Sequence, residues 1–227
     1  LTLVEDLLAY APFRYEDRRN VKTIRDLAPG ETATVIADVS SSRTARFQRK
    51  RVGMFEATFR DASGQALVGK WFHGAYLEDV LKPGLRVALF GKIEFDNYSR
   101  NLAMLHPEFE ILTADDDSDA SLHTGRIVPI YEAAQKVSTR VLRMIADRVL
   151  KAMGPMSDPL PETVVGRLRL LDRWNAVKQL HFPPDDADPR LYNNFRSPAQ
   201  FRMIFEEFFW LECGLSLKKQ KARRESG

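Results

Sequence analysis

Hydrophobic and polar positions change period along the chain, and the changes divide it into three zones. At the N-terminus Val4, Leu7 and Leu8 share a helical spacing, so a short helix is predicted. Pro12 and the charged stretch Arg14–Asn20 end it, because the residue before a proline is driven out of the helical region. From about residue 31 to 112 the period falls to two. Thr32–Val39 alternates through Ala33, Val35, Ala37 and Val39. Val52–Arg60 carries Met54, Glu56 and Thr58 on one face and Phe55, Ala57 and Phe59 on the other. Asp61-Ala62-Ser63-Gly64 reads as a hairpin turn, with glycine where a positive φ is needed. Gln65–Phe72 is the return strand, and Ala75–Leu81 a helical turn closed by Pro83-Gly84. Leu85–Lys92 and Asn101–Leu112 complete the set.

Beyond Ala114–Thr124, an acidic linker, the period returns to that of a helix. Pro129–Tyr131 leads into a helix over Ser138–Met153, with Val141, Leu142, Ile145 and Val149 at helical spacing. A second helix is predicted over Glu162–Leu171. The loop His181–Pro189, rich in Pro and Asp, separates it from a long terminal helix, Ser197–Lys221, whose apolar stripe is Phe201, Ile204, Phe205, Phe208 and Leu211. The expected organisation is an approach segment to residue 30, a strand domain over 31–112, a linker over 113–124 and a helical region over 125–227.

Five short strands with a helical element between the third and fourth is the order of an oligonucleotide/oligosaccharide-binding (OB) barrel. The fold class expected is therefore α+β: a five-stranded OB-type β-barrel flanked by N-terminal and C-terminal helices. In such a barrel a ligand crosses strands two and three and lies between the 1–2 and 4–5 loops. Here the 1–2 loop is Ser40–Arg51.

Composition narrows the chemistry. Of 227 residues 44% are hydrophobic, enough for a real core, and the net charge is only +3. No apolar run spans a bilayer and none reads as a signal peptide, so no membrane partner is expected. One cysteine, Cys213, excludes an internal disulfide framework and fits a reducing cytoplasm. On its apolar helix face it reads as a small buried hydrophobe. The chain begins at Leu1 and stops in a charged run, as an excised fragment would.

Charge distribution says more than its sum. Arg43, Arg46, Arg49, Lys50 and Arg51 fall within nine residues that contain no acid, and Lys218–Arg224 is a second basic cluster. Such runs are solvated loops or nucleic-acid contacts. Lys70, Lys92 and Arg100 would extend a track for phosphates. Aromatic faces that could stack on unpaired bases are Phe47, Trp71, Phe72, Tyr76, Phe95 and Tyr98. Trp71 and Phe72 must point to opposite faces of a strand, so one is core and the other exposed. On residues alone, core packing of Phe72 and Tyr76 stays open beside stacking.

Catalytic constellations are not found. Gly64–Lys70 matches the first seven positions of a phosphate-binding G-x-x-x-x-G-K loop, but Trp71 stands where a Mg²⁺-binding hydroxyl belongs, and the segment spans a hairpin. The four histidines lack metal-site spacing. No catalytic, cofactor-binding or metal residue is expected.

The segment Leu7-Leu8-Ala-Tyr10-Ala-Pro12-Phe-Arg14-Tyr15-Glu16-Asp17-Arg18 resembles the opening of the RecG family of ATP-dependent DNA helicases. So do Asp61…Gly64 with Trp71-Phe72, Gly84…Gly91-Lys92 and Met104-Leu-His106-Pro-Glu108. Val128-Pro-Ile-Tyr131, Leu180-His-Phe-Pro183 and Phe205-Glu-Glu-Phe-Phe209 continue the likeness in the same order. The resemblance implies a wedge domain that sits at the branch point of replication forks and four-way junctions, while motor domains that use ATP and Mg²⁺ pull the duplex. It further implies that Phe72 and Tyr76, in Phe72-His-Gly-Ala-Tyr76, stack on bases at the junction. The motor's own signatures are missing, so ATPase activity is expected of the longer protein and not of this piece. The expected partners are branched DNA and those motor domains, with the chain a monomer. Two other readings stand beside this one: a stand-alone OB module for single-stranded DNA or RNA, and an OB domain that docks another protein.

Overall fold

A computed structural model describes residues 4–46, 53–97, 100–112, 124–132 and 137–225. The chain forms two compact units, one made of residues 17–128 and the other of residues 1–16 with 129–227. The acidic stretch 113–123 lies outside the described residues.

The chain opens with α1 (Val4–Ala9) and β1 (Arg14–Asp17). The barrel strands of the first unit follow: β2 (Thr32–Arg46), β3 (Gly53–Arg60), β4 (Ala66–Phe72), β5 (Arg86–Asp96), β6 (Asn101–Leu105) and β7 (Glu108–Leu112). Their order is β2-β3-β4-β6-β5-β7, and β2 pairs again with β5, which closes a ring. The α+β class and the OB-type barrel expected from the strand order are what the structure contains. Antiparallel pairing holds throughout except between β4 and β6, which run parallel.

Three strand boundaries differ from the sequence reading, each for a physical reason. The first barrel strand does not stop at Val39 but runs to Arg46. A bulge between Val39 and Ser41 bends it, so that Thr32–Asp38 pair with β5 and Asp38–Arg46 pair with β3. The basic run expected as a loop from Ser40 therefore begins as strand. The fourth strand likewise continues past Lys92 to Asp96. The expected strand Asn101–Leu112 is two strands, because His106 takes a left-handed φ of 47° and Pro107 has no N–H for the ladder.

Inside the ring the predicted alternation is visible in the burial. Ala33, Val35, Ala37 and Val39 of β2 and Phe55, Ala57 and Phe59 of β3 are all core, with Leu67, Leu89, Ile93 and Met104. Trp71 fills one end, its ring tilted or edge-on to Phe55, Phe59 and Phe109, and its indole N–H donates to the Pro107 carbonyl at 3.1 Å. Gly69 is glycine because of that indole: a Cβ there would meet the Trp71 ring at 2.6 Å. Asp61 starts the β3–β4 turn. It accepts from the backbone N–H groups of Ile24 and Ser63, while Gly64 takes the φ of +75° that the turn requires. Arg18 is buried against Glu110 at 2.6 Å, with its guanidinium over the Phe90 ring.

The second unit is mostly helical: α1, then α2 (Thr139–Met153), α3 (Glu162–Leu168), α4 (Arg173–His181), α5 (Pro189–Asn193) and α6 (Pro198–Glu225). β1 pairs with β8 (Ile127–Ile130) as a separate two-stranded sheet. Neither of these strands, nor α4 and α5, follows from periodicity. Each is too short to show a clear repeat.

Which faces are buried also differs from the expected stripes. In α2 the core positions are Leu142, Ala146 and Leu150, while Val141 and Ile145 are exposed. In α6 the expected stripe faces out: Phe201, Ile204, Phe208 and Leu211 are exposed, and Ala199, Arg202 and Glu206 are buried. Arg202, fully buried, donates to Glu206 at 2.7 Å and to Asp158 at 2.6 Å, so a paired charge occupies the covered side of the helix. Cys213 is only partly covered, not the buried hydrophobe expected.

At the centre of this unit His181 Nε2 lies 2.9 Å from the Leu8 carbonyl and Nδ1 lies 2.7 Å from the Tyr131 hydroxyl. A carbonyl only accepts, so Nε2 carries the hydrogen. Burial holds the imidazole below its ordinary pKa against the opposing pull of the Leu8 bond, so Nδ1 accepts from the tyrosine. The Tyr131 phenol is raised by the same burial.

Candidate nucleic-acid interface

The pleat of β4 decides what reaches the outside of the barrel. Successive side chains alternate, so Leu67 and Trp71 go in and Val68, Lys70 and Phe72 share the outer face. Trp71 is 6% exposed and Phe72 43%. The core and exposed members of this aromatic pair are thereby distinguished.

Beyond Phe72 the chain leaves the strand through His73, at a left-handed φ of 58°, and Gly74. A Cβ on Gly74 would come within 2.7 Å of Trp71, so the segment is drawn tightly over the end of the barrel. A single 3₁₀ turn, Ala75–Glu78, then anchors itself by burying Leu77 and holds Tyr76 out in solvent at 69% exposure. The parallel register of β4 and β6 pairs Lys70 with Leu105 and so brings His106 to Phe72. The two rings stand 5.5 Å apart and tilted, and the Phe72 N–H points at His106 Nε2 across 3.4 Å. Non-glycine residues at positive φ are uncommon, and histidine is among those that tolerate it best. Two of them, His73 and His106, flank this aromatic platform.

Sequence reasoning did not single out His106 beside Phe72. The strand alternation was legible, but the parallel β4–β6 pairing that joins them was not.

The remaining sequence candidates fall in three groups. Lys92 and Arg100 are exposed, Lys92 on β5 and Arg100 at the turn into β6, where its φ is 52°. Arg43 and Lys70 are each held by carboxylates. Arg43 Nε donates to Glu56 at 2.7 Å. Lys70 Nζ lies 2.7 Å from Asp96 and 3.7 Å from Glu56, and all three of these residues are largely covered. The backbone of Arg46 is the end of β2. Arg49, Lys50 and Arg51, with Phe47 and Tyr98, lie outside the described residues. Phe95 is exposed on β5.

The Gly64–Lys70 match to a phosphate loop does not survive as a cradle. Gly64 is the hairpin turn, Gly69 makes room for an indole, and Lys70 points to Asp96. These residues do not fit a nucleotide phosphate.

Three kinds of similarity to known proteins bear on this geometry. A family described as the RecG wedge domain matches residues 1–153. Among curated proteins, the ATP-dependent DNA helicase RecG of Synechocystis is 27% identical over 235 residues, covering 99% of this chain and 27% of that protein. The RecG of Escherichia coli K12 is 30% identical over 210 residues, covering 91% of this chain and 29% of its own length. The chain thus spans less than a third of the relatives it matches. A solved structure of RecG bound to a three-way DNA junction superposes over the whole chain with a TM-score of 0.57 at 26% identity, covering 29% of that protein.

Proposed function

Because the chain belongs to the RecG wedge-domain family, we propose that it is the branched-DNA-binding wedge of a longer ATP-dependent helicase that remodels stalled replication forks. One observation carries the reading to this chain's own residues. Phe72 and Tyr76 stand exposed on either side of a tight turn, each mounted on a neighbour, Trp71 or Leu77, that is buried in the barrel.

Exposed rings on a rigid base are what unpaired nucleotides need. When a fork opens, the bases at the branch lose their stacking partners, and an aromatic face restores about 1–3 kcal/mol per base. Phe72 and Tyr76 cap the last bases on the separating strands, and the barrel stands between the arms. Lys92 and Arg100 supply phosphate contacts, joined by the basic run from Arg43 to Arg51 where its cations are free. ATP and Mg²⁺ act in the motor part of the longer protein, which works in the cytoplasm.

The test is equilibrium binding of the 227-residue chain to a model fork, a single strand and a blunt duplex. The fork should bind tightest. Phe72→Ala with Tyr76→Ala should weaken fork binding by at least about tenfold while leaving the thermal unfolding of the barrel unchanged, since neither ring is core. Equal affinity of the double variant for forks would overturn the stacking role.

A further inference from the structure

On the outer face of the barrel, one pleat along β4 from Phe72, a cavity of about 330 Å³ opens between β2, β3, β4 and the β5–β6 end. Its charged wall is Arg43, Glu56, Lys70 and Asp96, and Ser42, Thr58 and Asn101 also line it. The wall contains two cations and two anions, and they are already joined: Lys70 to Asp96 at 2.7 Å and to Glu56 at 3.7 Å, and Arg43 to Glu56 at 2.7 Å. A backbone phosphate entering here would meet two carboxylates and no unshared cation. Like charges at such range repel, and the shared ammonium cannot compensate for both. The same wall suits a neutral group that carries N–H donors beside a carbonyl. Carboxylates accept from N–H, and an ammonium donates to a carbonyl oxygen.

We infer that this cavity is a nucleobase pocket that reads the Watson–Crick edge of an unpaired guanine through Glu56, Asp96 and Lys70. Guanine presents two adjacent donors, N1–H and the N2 amino group, next to the O6 acceptor. One carboxylate takes both donors, the other holds the Lys70 ammonium in place, and Lys70 donates to O6. Adenine and cytosine offer this edge one amino group beside an acceptor nitrogen, and thymine a single N–H between two carbonyls. Unpaired bases are recognised on these edges once they leave the stack. Position supports the match. Lys70 and Phe72 lie two residues apart on the same face of β4, about 6.6 Å along the strand, so one nucleotide can stack on Phe72 while its neighbour enters the pocket.

The inference rests on the barrel being the DNA-binding face proposed above, and its test separates the two. Model forks are made in which each of the three unpaired nucleotides nearest the branch is in turn guanine, inosine, adenine, cytosine or thymine. Their affinities for the 227-residue chain are measured by fluorescence anisotropy. At one position guanine should bind about tenfold tighter than inosine, which lacks only the N2 amino group, and than the other bases. Glu56→Gln or Asp96→Asn should erase that preference and leave the other bases within about twofold of their original affinity. Both variants are checked for cooperative thermal unfolding, and Asp96→Asn decides alone if Glu56→Gln does not fold. Forks that bind with no base preference overturn the pocket and leave the wedge reading standing. Variants that tighten every fork equally, with a steeper salt dependence, overturn it as well, because the freed cations would then be phosphate sites. Absence of fork binding by the unaltered chain overturns both.

Discussion

Trp71 shows how much a single side chain can require of its neighbours. Its indole lies where a Cβ on Gly69 would stand, its own Cβ and carbonyl crowd Gly74, and its N–H is satisfied by the Pro107 carbonyl. Gly69 is in ordinary extended backbone, so its constraint is packing and not φ. Gly69→Ala should therefore lower stability by about 1–3 kcal/mol through overpacking, read from urea unfolding, with the midpoint shifted and the slope unchanged. Phe72, the next residue, is opposite in kind. It contributes little to the core, so its removal should appear in binding and not in stability. The contrast between two adjacent aromatics follows from the pleat alone.

At the scale of elements, α4 makes the pH dependence of the helical unit predictable. Its last residue, His181, is neutral and buried between Leu8 and Tyr131, with its pKa held below the ordinary value mainly by burial. A base whose folded pKa is depressed binds protons more readily in the unfolded chain. Its contribution is complete above the unfolded value of about 6.5 and is lost as pH falls from there toward the folded value, at up to about 1.4 kcal/mol per pH unit. Thermal unfolding at pH 7.5 and 5.5 should show the helical unit weakened at the lower pH, and His181→Phe should flatten that difference. The terminal helix teaches a complementary lesson. Its aromatic stripe at helical spacing predicted a buried face, yet the buried side carries Arg202 locked between Asp158 and Glu206. Periodicity locates a stripe on a helix and cannot say which side of the helix is covered.

For the whole molecule, a net charge of +3 says little about DNA affinity, because the pairing of each cation matters more than the sum. Each phosphate neutralised by a free cation contributes about 0.9 to the slope of log affinity against log salt on duplex DNA. Lys92→Ala should therefore reduce the magnitude of that slope by about 0.9. Lys70→Ala should leave it unchanged, since Lys70 is already neutralised by Asp96 and Glu56. Fork-binding titrations between about 50 and 200 mM salt distinguish the two.

What was legible in the residues was whatever depends on neighbours close in sequence. The period-two runs placed Val35, Ala37, Phe55 and Phe59 in a barrel core, the Asp61–Gly64 turn joined two strands, and the strand order named the OB class. Alternation alone required Trp71 and Phe72 to part. Only the tertiary structure decided the rest. The bulge at Val39/Ser41 turned the start of an expected loop into strand, and the parallel β4–β6 register set His106 against Phe72. The β3–β4 register set Glu56 opposite Lys70, and β6, lying between β4 and β5, brought Asp96 to it from 26 residues away, so a lysine expected to be a free phosphate contact sits between two carboxylates. Strand alternation is a local property of the backbone. Register and partner choice depend on which distant segments bury their apolar faces together, and no short window of sequence carries that information.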